Sequence, residues 1–243
     1  MDENRSPRTV LVTGGTSGVG MAVARRFAGE GWNPIILARH REDLERVKAD
    51  FHREGLKLWA FPCDVGDEGQ VDKTLDEIYR KFSFVDLLVN NAGIGFKGPV
   101  EDLSPGDMDA MIATNLRGVF LMTRGVLPSM KKERRGYIIN VASGAALNGI
   151  ANMAGYCATK FAVRGFSLSV AQEARDYDVR VTVLCPGSIN SSFHEKMGVS
   201  HPREKLEKMM QPEDIADTVF HVANQPLRYW VSEVIMRASL MGR

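Results

Sequence analysis

The stretch from Thr9 to Glu30 constrains this chain more than any other. Thr9-Val10-Leu11-Val12-Thr13 is a short run rich in β-branched residues, and it reads as a buried strand. It passes directly into Gly14-Gly15-Thr16-Ser17-Gly18-Val19-Gly20, after which Met21 to Glu30 reads as a helix. Glycines let the backbone take up positive φ and approach a ligand closely. Strand, glycine turn and helix, in that order, present unpaired backbone N–H groups to a phosphate at a helix start. The spacing is G-x-x-x-G-x-G, not the commoner G-x-G-x-x-G.

Pro34 to Ala38 reads as a second strand and ends in Arg39-His40-Arg41. In a dinucleotide-binding fold, an acidic residue at this strand end would hold the adenosine ribose hydroxyls. Ala38 stands there instead, followed by Arg39. An arginine fork suits a ribose 2′-phosphate, so Arg39 favours NADP over NAD. The helix from Arg41 to Glu54 carries Leu44, Val47 and Phe51 at core spacing. Leu58 to Phe61 reads as a third strand, with Cys63-Asp64-Val65 at its C-terminal end, where open α/β sheets bind ligands. Asp64 can accept a hydrogen bond from an adenine amino group or shape a turn; the sequence leaves both open. A helix follows with Val71, Leu75, Ile78 and Phe82 facing inward. Asp86 to Asn90 is a fourth strand, ending in Asn90-Asn91-Ala92-Gly93, whose amides and glycine suit a cofactor wall or a tight turn.

Ser104-Pro105 opens a helix expected to run to Lys132, with Asn115 among Ile112, Leu116, Val119 and Met122. A mid-helix asparagine beside a core stripe needs a partner, either structural or a water chain. Tyr137 to Val141 is a fifth strand that delivers Ser143 just beyond its end. The next helix carries Tyr156 and Lys160, four positions apart and therefore on one face. A phenol with a pKa of about 10 is a poor proton carrier at neutral pH, and a neighbouring ammonium is expected to lower that value. Downstream, Phe161, Phe166 and Val170 make this helix apolar on more than one face, which predicts a subunit interface. Val179 to Leu184 is a sixth strand, closed by Pro186-Gly187. The segment 188–210 is expected to be irregular and then strongly charged, as in a substrate lid. Pro212 opens a helix to Asn224, and Trp230 to Met236 reads as the last strand. No linker appears, so residues 9–243 read as one domain behind a short polar tail over 1–8.

Composition enters mainly by exclusion. Net charge is +1 with no basic block, so neither nucleic acid nor an anionic membrane surface is expected as a partner. No apolar run approaches the length of a bilayer span, and Met1 to Arg8 lacks a signal-peptide core. Cys63, Cys157 and Cys185 are widely spaced and form no metal-ligand pattern. No metal is expected, and the location expected is the reducing cytoplasm.

With these motifs in this order, the chain resembles the short-chain dehydrogenase/reductase family from Thr9 to about Met236. The resemblance implies an α/β fold: one Rossmann-type, doubly wound sheet of seven parallel strands flanked by helices on both faces. It implies hydride transfer between NAD(P) and a carbonyl/alcohol pair. Thr13, Gly14, Gly18 and Gly20 match the family's T-G-x-x-x-G-x-G turn, which brings Thr16, Ser17 and Val19 into the expected cofactor site. Asp64 and Val65 match the adenine contacts, and Asn90, Asn91, Ala92 and Gly93 the N-N-A-G motif. Pro186, Gly187 and Ile189 match the loop over the nicotinamide; Ser191 stands where the family usually has threonine. Ser143, Tyr156 and Lys160 match the catalytic triad, and Asn115 its fourth member. In the implied mechanism Tyr156 protonates the carbonyl oxygen while Ser143 orients it. Lys160 lowers the tyrosine pKa, binds the nicotinamide ribose and connects through water to Asn115.

Expected, then, is an NADP-dependent oxidoreductase acting on a ketone, aldehyde or secondary alcohol, as a homodimer or homotetramer. A cofactor-binding sensor or scaffold on the same fold is the alternative, and members of that kind commonly lose the tyrosine or lysine. Sugar-nucleotide epimerases share the pair but have a differently spaced glycine turn and a longer C-terminal region. The glycine-rich segment that often ends the family's chains is missing, which makes tetramers built on that tail less expected. For the substrate pocket, Phe96, Leu147, Met153, Phe193, His194 and Met197 are the candidates.

Overall fold

The β-branched runs bury themselves by pairing side by side. In the computed structural model, which describes residues 7–240, seven strands form a single sheet. They are β1 (Thr9–Thr13), β2 (Asn33–Ala38), β3 (Trp59–Pro62), β4 (Leu87–Asn90), β5 (Tyr137–Val141), β6 (Arg180–Pro186) and β7 (Glu233–Met236). The order is β3-β2-β1-β4-β5-β6-β7, and every neighbouring pair is parallel. Helices α1 (Gly18–Gly29), α2 (Arg41–Arg53) and α3 (Glu68–Lys81) alternate with the first strands. After β4 come α4 (Pro105–Met111), α5 (Gly118–Glu133), α6 (Ala154–Arg175), α7 (Ser192–Lys196), α8 (Arg203–Lys208) and α9 (Pro212–Ala223).

Strand alternation divides the core. Val10 and Val12 join Phe27, Phe51 and Val219 beneath α1, α2 and α9. Leu11 points the other way, to Ile78, Met122 and Val170 beneath α3, α5 and α6. Each fully buried side chain of this kind contributes about 1.5–3 kcal/mol. This is the Rossmann-type doubly wound sheet the motifs led one to expect. Chain order reverses between β1 and β4, and the crevice beyond their C-terminal ends is where such sheets bind ligands.

Several elements differ from the sequence pattern. The expected helix from Met21 begins earlier, at Gly18. The expected single helix to Lys132 is broken by a π-turn over Ile112–Arg117, centred on Asn115. The segment 188–210 is not irregular: it holds α7 and α8, and its ends are joined by an Ile189–Met210 bridge. The last strand pairs only over Glu233–Met236. Of the polar tail, residues 1–6 lie outside the described residues, as do 241–243. Arg8, just before β1, stacks its guanidinium 3.9 Å from the centre of the Trp32 ring. No described helix is long and apolar enough to cross a membrane.

Candidate active site

The site is built where β1 and β4 end. Gly14, at φ +67°, turns the chain and donates its N–H to Leu37 O at 2.8 Å. A Cβ on Gly14 would lie 2.9 Å from the Ala92 backbone, so the two strand ends approach as closely as glycine permits. Thr13 Oγ1 accepts from the backbone N–H groups of Asn91 and Ala92, both at 3.0 Å. Asn91 returns its amide to Thr13 O at 3.0 Å and Gly14 O at 3.2 Å. The N-N-A-G turn is thereby fixed against the glycine turn. Asn90 points away from the cleft and bonds Asn140 Oδ1 at 2.8 Å, and Asn140 in turn reaches Ser167 of α6 at 2.9 Å.

A cleft of about 660 Å³ opens over this platform. Thr16, Ser17, Gly18 and Val19 line it at the start of α1. Ser17 makes no side-chain cap bond there, and the first turn holds no acidic residue. The helix start therefore offers N–H groups that the chain leaves unmet, which fits a dinucleotide's phosphates. Farther along, Arg39, Asp64 and Val65 line the same cleft, and a second hollow of about 490 Å³ runs on from Arg39 and Asp64 to Thr114 and Arg117. Arg39 is exposed and makes no ion pair with a described residue, which leaves its guanidinium available to a phosphate. Asp64 Oδ1 accepts from Gly66 N at 2.9 Å, so the turn role is realised in a residue that also faces the cleft.

At the other end stand Ser143, Tyr156 and Lys160, together with Ala92, Gly93, Pro186, Gly187, Ile189 and Ser191. Tyr156 is 7% exposed and Lys160 4%. Lys160 Nζ donates to Val141 O at 3.0 Å and lies 5.7 Å from the centre of the Tyr156 ring. Burial pushes the phenol up to about 12, against a lowering hydrogen bond from Ser143, and brings the ammonium down to about 8. The expected lowering of the tyrosine by Lys160 is not seen: burial dominates, and the ammonium is turned to a backbone carbonyl. Tyr156 is thus a protonated phenol at neutral pH, held beside a hydroxyl. A Cβ on Gly93 would stand 3.4 Å from Asn115 Oδ1 and 3.6 Å from Lys160 Nζ, so glycine keeps this approach to the lysine open.

Thr13, Gly20 and Asn115 do not line the cleft; they support it from below. Asn115 is fully buried, accepts from Ile94 N at 2.8 Å, and donates to Ile94 O at 2.8 Å and Thr159 Oγ1 at 3.0 Å. Its side chain therefore ties the π-turn to the loop after β4 and to α6. Of the pocket candidates, Met153, Phe193, His194 and Met197 line the cleft, whereas Phe96 and Leu147 do not. Phe193 lies against the Tyr156 ring at 5.5 Å between centroids. Ile94, Ile150 and Lys196 also line the cleft and were missed. Only Ile94, next to the N-N-A-G turn, carried a local signal.

The chain is similar to known proteins over most of its length. The family model for short chain dehydrogenase matches residues 8–200. Sepiapterin reductase of Chlorobaculum tepidum is 32% identical over 94% of this chain and 95% of its own length. A metagenomic short-chain oxidoreductase solved in complex with NADP superposes with a TM-score of 0.83 at 32% identity, covering 96% of this chain and 97% of its own. The closed form of serine dehydrogenase complexed with NADP+ gives 0.84 at 33% identity, with 94% of each chain covered.

Proposed function

The chain belongs to the short-chain dehydrogenase family and is an NAD(P)-dependent oxidoreductase; from that premise we propose an NADP-dependent enzyme acting on a ketone, aldehyde or secondary alcohol, with Tyr156 as general acid/base. The observation that carries the reading is the buried Tyr156 beside Ser143, facing the cleft whose far end holds the glycine turn. A bound nicotinamide would supply or accept the hydride. Tyr156 would give its proton to the carbonyl oxygen, and Ser143 would hold that oxygen. As the phenolate forms, the nearby Lys160 would stabilise it; a cation 5.7 Å away is worth most in a site with little water.

The preference for NADP rests on Arg39, which follows Ala38 at the end of β2, and is consistent with the NADP complexes of similar structures. Thr16, Ser17, Gly18 and Val19 would receive the phosphates, Asp64 and Val65 the adenine, and Pro186, Gly187, Ile189 and Ser191 the nicotinamide side. Residues 9–243 would act as a single catalytic domain with 188–210 as its lid. Exposed Phe120, Phe161 and Leu168 on α5 and α6 support a homodimer or homotetramer. The three free, buried cysteines fit a cytoplasmic setting.

The test is NADPH oxidation against a panel of ketones and aldehydes, repeated with NADH. Turnover of at least one carbonyl, with higher kcat/KM for NADPH, is expected. Tight NADPH binding without oxidation across the panel, or without NADP+ reduction by the matching alcohols, would count against the reading.

A further inference from the structure

The lid carries positive charge that the chain does not neutralise. His194 of α7 lines the cleft and packs edge-on against His201, with centroids 5.1 Å apart. Lys196, two residues on, lines the same cleft. Lys205 of α8 acts electrostatically on both imidazoles, and Lys97, in the loop after β4, acts on His201. Burial first, and these cations second, push both histidines below their usual value.

The acids of α8 are already engaged: Glu204 pairs with Lys208 at 2.6 Å, and Glu207 with Arg203 at 2.9 Å. Among the described residues, no carboxylate lies within ion-pair distance of His194, Lys196, His201 or Lys205, or of Lys97. Glu195, the one acid of α7, is exposed. Held below their usual value, the two imidazoles are neutral N–H donors at pH 7, and the lysines around them carry the charge; an anion brought there meets both hydrogen bonds and cations. Between this group and Tyr156 the wall is apolar: Phe193 covers the tyrosine ring, and Met153 and Met197 line the same space.

We propose that the substrate bears an anionic end, a carboxylate or a phosphate, which docks on His194 and His201 backed by Lys97, Lys196 and Lys205. Its apolar stem crosses Phe193, and its carbonyl or hydroxyl carbon reaches Tyr156. The orientation rests on the reading of Tyr156 as the proton carrier; the anion site itself does not.

The experiment separates the two. Calorimetric titration is done on the protein saturated with NADP+, where no ketone can be reduced. The ligand pairs are 4-oxopentanoate against its methyl ester, and dihydroxyacetone phosphate against dihydroxyacetone. In at least one pair the anion is expected to bind about tenfold more tightly than its neutral partner, and which pair does so identifies the anion. The double variant His201→Gln/Lys205→Gln is expected to lose that preference while the neutral ligand binds as before, with an unchanged circular dichroism spectrum. Equal binding in both pairs, no detectable binding of either anion, or a preference that survives in the variant overturns the proposal. A preference for the anion in a protein that turns over no carbonyl keeps the anion site and removes the catalytic reading instead.

Discussion

Replacing Lys160 with methionine is expected to stabilise the fold while abolishing turnover. Burial lowers the ammonium from 10.5 to about 8, and at about 1.36 kcal/mol per pH unit the charged form costs folding about 3 kcal/mol at pH 7. Methionine is unbranched and of similar length, so it fills the same space without that charge. Against the gain, Val141 O loses its 3.0 Å donor, a loss of about 1–1.5 kcal/mol. The balance of about 2 kcal/mol would raise Tm by about 4–8 °C for a chain of this size. The pH dependence has a definite sign. The unfolded chain binds more protons at this lysine than the folded one between about 8 and 10.5, so wild-type stability recovers as pH rises through that window. The gap between variant and wild type is therefore full below about pH 8 and closes towards 10.5. Tyr156, pushed up to about 12, is common to both proteins, whereas Cys185, pushed up to about 11 by burial, loses the lowering effect of Lys160 in the variant and so stays a neutral thiol through the window. Scanning calorimetry of the cofactor-free proteins at neutral and alkaline pH gives the answer. A lower Tm for the variant at pH 7, or a gap independent of pH, refutes the reasoning.

Three further outcomes are expected. A Cβ on Gly20 would stand 2.4 Å from Gly14 O and 2.6 Å from Asn91 Nδ2, so Gly20→Ala should destabilise by about 1–3 kcal/mol. The same change should weaken NADPH binding, and calorimetry with fluorescence titration checks both. Arg39→Ser should raise the NADPH Kd by roughly tenfold or more, since a charged hydrogen bond is worth about 1.5–3 kcal/mol, and leave NADH unchanged. Phe161→Asp places a charge at a residue that is 45% exposed in the single chain; if the proposed homo-oligomer uses that face, light scattering should show a multimeric wild type and a monomeric variant, which equal masses would contradict.

The parts of the fold legible in the sequence are those encoded locally. The buried run Thr9–Thr13, the glycine turn and the four-residue step from Tyr156 to Lys160 each sit within one element and its cap. Asn115 shows where local pattern ends. The stripe through Ile112, Leu116 and Val119 is helical, yet the asparagine bonds the Ile94 backbone 21 residues away, at a π-turn that no local spacing encodes. The helices within 188–210 escaped for a different reason: α7 and α8, at five and six residues, are too short to show a helical period. Spacing put Tyr156 and Lys160 on one face but carried nothing about desolvation, and burial reversed the expected direction of the tyrosine's shift. Phe96 and Leu147 matched the chemistry of a pocket wall, but their side chains lie outside the cleft.

The proposed chemistry turns on Tyr156 carrying the proton. Single-turnover mixing of carbonyl substrate with preformed NADPH complexes of wild type and Tyr156→Phe tests it most directly, with NADPH binding measured on the same samples. The chemical step is expected to slow by about 100- to 10,000-fold, with NADPH binding within about twofold of wild type. A Tyr156→Phe protein that reduces the substrate at the wild-type rate would contradict it.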